Sequence, residues 1–454
     1  MHYTWFLLLS SAYIGTTCTS QNKTIHREKE EKITVTQAFA KERLDSLAPG
    51  IPAYTRSTLQ YAQEGAPFLQ LTFGKPSIIT RSSTLQTWGH YQFPTLFSGI
   101  DSGFVVKIHY APDAVASYGK SDYIYAFSND GIRWDTIIAP EGQQEHRIAE
   151  GIVLANGDRL KIVTPKNILV QDLSLPKPVA QQGNYTFYRY HDLPESRKGI
   201  FLARMKKGEQ VWKKEKAALI DNDALRYSYQ GMFPVVWWGD IHRTKDDALL
   251  AGIYPGYYVD DQGQAQTKSG IFFYRSTDEG KSWKIYSRIP YTWDAKLQPK
   301  GSAFGGFTEP TFETLQDGSY YCVMRTTDLE NGPLYAARST DEGKTWSTPQ
   351  AIAPAGVLPR LLQLENGILV LSSGRPGVQL RFSSNQGKTW SKAFEQVSYD
   401  PIKGIDWYTS CGYTSLLPIG PDACYLIYSD FFNMDESGKL RKAIKIRKIT
   451  ATSP

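Results

Sequence analysis

Cysteine is scarce in this chain. Cys18, Cys322, Cys411 and Cys424 are the only four in 454 residues, and no pair has the spacing of a metal site. Cys411 and Cys424 flank a predicted hairpin where a disulfide is conceivable, but the preferred reading of Cys322, Cys411 and Cys424 is as small buried hydrophobes. Charge of one sign is also lacking. Lys and Arg number 51 against 45 Asp and Glu, giving a formal charge of +6, and the basic residues are scattered among acids. Nucleic-acid binding needs a concentrated basic face, and no run supplies one. No helical segment of convincing length is present, and the apolar stretch from Trp5 to Gly15 is too short for a stable membrane span. No motif demands a metal or an organic cofactor.

What is present begins with that stretch. Trp5 to Gly15 has the length of the h-region of an export signal. Cys18 follows Gly15-Thr16-Thr17, which resembles a bacterial lipoprotein signal, where the cysteine becomes the lipidated first residue. The expectation is an exported bacterial protein, periplasmic or on the outer membrane or cell surface, with membrane attachment through a lipidated Cys18. Residues 1–18 read as signal, and 19–65, polar and charged, as a tether or lead-in. Residues 66–454 read as one repeat array, because repeats grow as a single body.

The array shows itself in a short repeated pattern. Ser276-Thr277-Asp278-Glu279-Gly280-Lys281-Ser282-Trp283 is nearly copied at Ser339 to Trp346, returns at Ser383 to Trp390, and is shortened at Ser128 to Trp134. A worn copy runs from Lys206 to Trp212. The pattern specifies a tight turn: the Asp or Asn side chain bonds nearby backbone N–H groups, Gly takes positive φ, and Trp packs over the turn. A calcium loop is disfavoured because each copy offers only one regular carboxylate.

Upstream of each turn lies a predicted hairpin, recognisable from apolar runs around Asn-Gly, Asp-Gly or a similar turn. The six first strands begin near Phe93, Glu150, Phe233, Glu309, Leu358 and Gly412. The last hairpin lacks a downstream turn, and the segment Pro67 to Phe73 is available to complete it. The predicted fold is all-β: a six-bladed β-propeller of four-stranded antiparallel blades, the last blade closed by strands from both termini.

With these repeats the chain resembles the sialidase (neuraminidase) superfamily over roughly residues 66–450, the Ser-x-Asp-x-Gly-x-Thr-Trp turns being its Asp-boxes. The resemblance implies an exo-acting, retaining glycoside hydrolase that removes a terminal acidic sugar. Tyr413, in Gly412-Tyr413-Thr414-Ser415-Leu416, corresponds to the nucleophile, Glu309 to its base and Asp113 to the general acid. Arg325 and Arg375 correspond to arginines that hold the sugar carboxylate. A phenol suits attack beside a carboxylate that would repel a second anion, but with a pKa of about 10 it needs a base. One position departs from the pattern. Gln92, in Gln92-Phe93-Pro94, stands where the first arginine is expected. Arg81 or Arg360 is then the candidate for the missing cation, and His90 is a further pocket residue able to act as acid or base.

Three functions therefore remain open: the sialidase-type hydrolase, a sialidase-like hydrolase or lyase on glycans containing uronic acid, and a non-catalytic surface propeller that binds glycans. Each takes a carbohydrate partner.

Overall fold

The computed structural model describes residues 57–62, 65–84, 88–113, 121–327, 332–398 and 412–453. The expected signal, Cys18 and Cys411 lie outside these residues, as does most of the expected tether. Among the described residues the regular structure is strand, interrupted only by three-residue 3-10 turns, so the chain is all-β. No helix among them is long and apolar enough to cross a membrane. Cys322 and Cys424 are free and fully buried.

The strands pair in antiparallel sets. The first comprises Gln92–Ser98, Phe104–His109, Asp122–Ser128 and Asp135–Pro140. The second comprises Ile152–Val153, Arg159–Ile162, Ile200–Met205 and Lys213–Ile220. Trp238–Arg243, Leu249–Val259, Ala265–Ser276 and Ser282–Ile289 form the third. The fourth is Gly306–Thr314, Tyr320–Thr327, Leu334–Ser339 and Gln350–Ala353. Val357–Gln363, Leu369–Gly374, Val378–Ser383 and Phe394–Val397 form the fifth. Two short parallel contacts, Leu219 with Trp283 and Ser269 with Gly306, link the second, third and fourth sets into one hydrogen-bonded sheet.

The sixth set draws on both ends of the described chain. Thr414–Gly420, Ala423–Met434 and Leu440–Thr452 pair in order, and Leu69–Phe73 then pairs with Leu440–Thr452. Leu69, Leu71 and Phe73 alternate inward and are fully buried, as the period of a strand with one apolar face requires. Ser57–Tyr61, inside the stretch read as tether, pairs on the far side of Leu69–Phe73.

The repeated turns form as their residues dictate. In the clearest copy Asp278 Oδ1 accepts the Ser282 amide at 2.9 Å, and Ser276 Oγ accepts the Gly280 amide at 2.9 Å. The Trp283 ring is fully buried and its Nε1 donates to the Gly280 carbonyl at 3.0 Å. Two consecutive residues are left-handed in each complete copy, Glu279 with Gly280, Glu342 with Gly343 and Gln386 with Gly387. The glycine was legible in the sequence, but the preceding residue carries no such signal.

Two features differ from the sequence reading. The first strand of the third set begins at Trp238 rather than at Phe233. Met232–Phe233 pairs instead with Ile168–Leu169 and Leu225–Tyr229, in a separate five-stranded sheet that also holds Tyr185–Arg189 and Ala180–Gln182. Pro234, which cannot donate to a ladder, separates the two assignments.

Candidate active site

Three first strands carry the same local distortion. Gln92-Phe93-Pro94-Thr95, Thr308-Glu309-Pro310-Thr311 and Val357-Leu358-Pro359-Arg360 each contain a register shift across the Pro. Pro has no N–H for the ladder, and a bulge removes the need for one. The residue before each Pro is left-handed, with φ 51° at Phe93, 48° at Glu309 and 45° at Leu358. Such conformations cost about 1–3 kcal/mol each and persist where surroundings fix them. Phe93 and Leu358 belong to one apolar cluster, which also contains Tyr413.

Glu309 is anchored on both oxygens. Oε1 accepts Arg325 Nη1 at 3.0 Å, and Oε2 accepts the amide of Leu358, the bulged residue of the next set, at 2.6 Å. Both members of the ion pair are buried. The pairing follows from the hairpin, whose register sets Thr308 opposite Arg325.

Asp113 stands nearby. Its Oδ2 accepts Trp88 Nε1 at 3.2 Å, its amide donates to the Trp88 carbonyl, and its Oδ1 is buried with no hydrogen-bond partner. Gly89 makes this approach possible: a Cβ there would lie 2.2 Å from the Asp113 amide nitrogen. Burial, reinforced by the Glu309 charge, pushes the Asp113 carboxyl up to about 7. Tyr254 belongs to the same neighbourhood. Burial raises its phenol well above the usual range, the Glu309 charge adds to this, and Arg325 opposes it.

Tyr413 is buried, with its ring centroid 4.1 Å from Phe93 and 6.4 Å from Trp88. Arg375 is buried in a left-handed conformation just after Leu369–Gly374, and the Gly377 carbonyl in its loop accepts the Gly412 amide beside Tyr413. Arg360 is buried over the Trp238 ring at 5.6 Å, and Trp238 packs on Tyr254 at 5.3 Å. Gln92 is fully buried; its Oε1 accepts the Gly89 amide at 3.0 Å and its Nε2 has no acceptor. The His90 ring packs on Tyr110 at 5.2 Å. Arg81 is not part of the site, since it pairs with exposed Glu436.

Sequence reasoning missed Trp88 and Lys442. Lys442 Nζ lies 4.8 Å from the Phe431 ring centroid, and Phe431 packs on Trp88 at 6.2 Å. Burial lowers the Lys442 ammonium to about 8. No local pattern marked either residue, because Trp88 lies outside the repeats and Lys442 sits in a strand of ordinary basic alternation. Among the described residues, no group of three or more His, Cys, Asp or Glu is placed to hold a metal ion.

The arrangement can donate a proton from Asp113 near neutral pH and sets the Glu309 carboxyl against the buried Arg325 guanidinium.

Residues 237–398 match the BNR repeat-like domain. None of the curated proteins matches the chain in sequence. Among solved structures, a protein of unknown function from Dyadobacter fermentans superposes with a TM-score of 0.55 at 16% identity, covering 82% of this chain and 99% of that one. The Penicillium chrysogenum α-L-arabinanase complexed with arabinobiose gives 0.48 at 15% identity, over 82% and 98%. The Hadza microbial sialidase Hz136 gives 0.42 at 14% identity, over 80% of this chain but only 66% of the longer sialidase.

Proposed function

We infer that this chain, whose residues 237–398 match the BNR repeat-like domain, is an exo-acting, retaining glycoside hydrolase that removes a terminal acidic sugar from glycans. The six antiparallel sets are read as blades of a propeller, with the strands from both ends completing the last. Tyr413 attacks the anomeric carbon while Glu309 accepts its phenolic proton. Asp113, protonated near neutral pH, gives its proton to the departing glycosidic oxygen. The tyrosyl–sugar bond is then broken by water, whose proton returns to Asp113, and Glu309 returns the phenolic proton to Tyr413. Arg325, Arg375 and Arg360 hold the sugar carboxylate, and Gln92 adds a neutral donor.

The observation that carries this reading is the environment of Asp113, pushed up to about 7 by burial and by Glu309. A carboxyl held protonated near neutral pH beside a carboxyl paired with an arginine divides the acid and base roles. The test is release of free sugar from a panel of α-sialosides and uronic-acid glycans, with Tyr413→Phe as the control. Release lost in Tyr413→Phe supports the reading, and no release from any acidic glycan refutes it.

Gln92 favours a second reading, in which the acidic group belongs to a uronic acid. Its buried amide brings a hydrogen-bond donor where a charge is expected. Retained turnover in Tyr413→Phe with loss in His90→Ala would favour that chemistry. Export, with attachment through a lipidated Cys18, is proposed from residues 5–18, and loss of fatty-acid labelling in Cys18→Ala tests it.

A further inference from the structure

The worn turn of the second set has lost the residues that hold the others. Lys206 to Trp212 lacks both the Asp and the Ser or Thr that bond the complete copies. Its turn is held instead by the Glu209 amide on the Lys206 carbonyl and by the Lys207 amide on Asp158 Oδ1. The consequence falls on the tryptophan. Trp283 is fully buried and bonds its own turn, whereas Trp212 is only partly buried and its Nε1 has no acceptor.

Trp212 lines a cavity of about 470 Å³. Pockets of roughly 300–1,000 Å³ are the usual size for small ligands. Glu145 and His146, from the segment joining the first set to the second, line the cavity together with Gln210 and Lys214.

The ring is fixed from beneath. Lys161 Nζ lies 4.4 Å from the Trp212 centroid and also bonds Glu145 Oε2 at 2.6 Å and Glu150 Oε2 at 2.8 Å. Lys107 Nζ takes the other Glu145 oxygen at 3.2 Å. Buried ion pairs are weak stabilisers, because desolvation offsets most of the attraction. A chain of four such groups is better understood as a rigid support than as a source of stability.

The donor and acceptor balance selects the ligand. Both Glu145 oxygens already accept from lysines. The Lys214 ammonium and the Gln210 amide are donors on the cavity lining, and the His146 ring offers another in one of its tautomers. An aromatic ring surrounded by surplus donors suits a pyranose bearing a carboxylate. We propose that this cavity is a second carbohydrate site, which binds one acidic sugar residue of a glycan independently of the Glu309 centre. A second site on the same chain would raise the effective concentration of glycan at the first.

The test is 19F NMR of protein labelled with 5-fluorotryptophan, with the Trp212 resonance assigned by its absence in Trp212→Phe. Titration with glucuronate should shift that resonance, and the same concentrations of glucose should not. Lys214→Gln should weaken the glucuronate response about tenfold while leaving the resonance in place, which guards against a misfolded Trp212→Phe. A resonance unmoved by saturating glucuronate, or moved equally by glucose, overturns the proposal. Because the readout is local binding, it is independent of whether the Glu309 centre hydrolyses anything.

Discussion

The Glu309 carboxylate accepts the Leu358 amide at 2.6 Å, so the bulge of one strand set is tied to the bulge of the next. The same carboxylate neutralises buried Arg325. Replacing Glu309 by Ala strands that guanidinium in the interior and frees the Leu358 amide. Removing one partner of a buried pair costs about 3–5 kcal/mol. Urea unfolding of Glu309→Ala should show a loss of that order. Glu309→Gln should lose less, because an amide oxygen can still accept from Leu358. Equal losses in the two variants would mean that the charge, and not the hydrogen bond between sets, is what matters.

Asp113 sets the expected pH dependence. Its carboxyl is pushed from 3.8 to about 7, so it is protonated below that value and ionised above it. A general acid works only while protonated. The rate on a glycoside with a poor leaving group should therefore fall about tenfold per pH unit above about 7. Asp113→Asn should lower that rate by about 10²–10⁴ and abolish this limb of the profile. Substrates with an activated phenolate leaving group should suffer much less, and an equal loss on both substrate types would remove Asp113 from the role of acid.

The repeated turns were legible because each carries its own hydrogen-bonding instructions within eight residues, from Ser276 to Trp283 in the clearest copy. The pairing of Glu309 with Arg325 was legible for a similar reason, since one hairpin brings them together. The five-stranded sheet was not. Ile168–Leu169 and Met232–Phe233 are two-residue strands that pair with each other across more than 60 residues, and such short runs have no period to read. The approach of Asp113 to Glu309 was expected only from the resemblance. It depends on Gly89 admitting a loop, which no repeat encodes. Gln92 was recognised as a departure, yet its bond to the Gly89 amide ties it to that same loop.

The turns also give a stability contrast. Trp283 is fully buried and bonded to Gly280, so Trp283→Ala should cost about 3–5 kcal/mol, the range for deleting a core aromatic. Trp212 lines a cavity and has no acceptor for Nε1, so Trp212→Ala should cost distinctly less. Thermal or urea unfolding of the two variants side by side checks this. Equal costs would show that the worn turn depends on its tryptophan as much as the complete one does.

Glu313 supplies a pH dependence of stability that is separate from catalysis. It lies on Gly306–Thr314, and Asp240 lies on Trp238–Arg243 of the preceding set. Burial, helped by the Asp240 charge, raises the Glu313 carboxyl from 4.5 to about 8. The nearby His242 ring packs on Phe312 at 4.2 Å, and burial lowers its pKa, so it brings little positive charge to offset the pair. Between pH 4.5 and about 8 the folded state holds a proton on Glu313 that the unfolded state has lost. Stability contributed by this group must then fall as pH rises through that window, with a slope approaching about 1.4 kcal/mol per pH unit. Glu313→Gln keeps the neutral shape without the titration. Urea midpoints across pH 5 to 9 should decline less steeply in Glu313→Gln than in the wild type, and the two should differ most at the alkaline end, where the variant is the more stable. Parallel curves would mean that Glu313 is ionised in the folded protein and that the wild-type slope arises elsewhere.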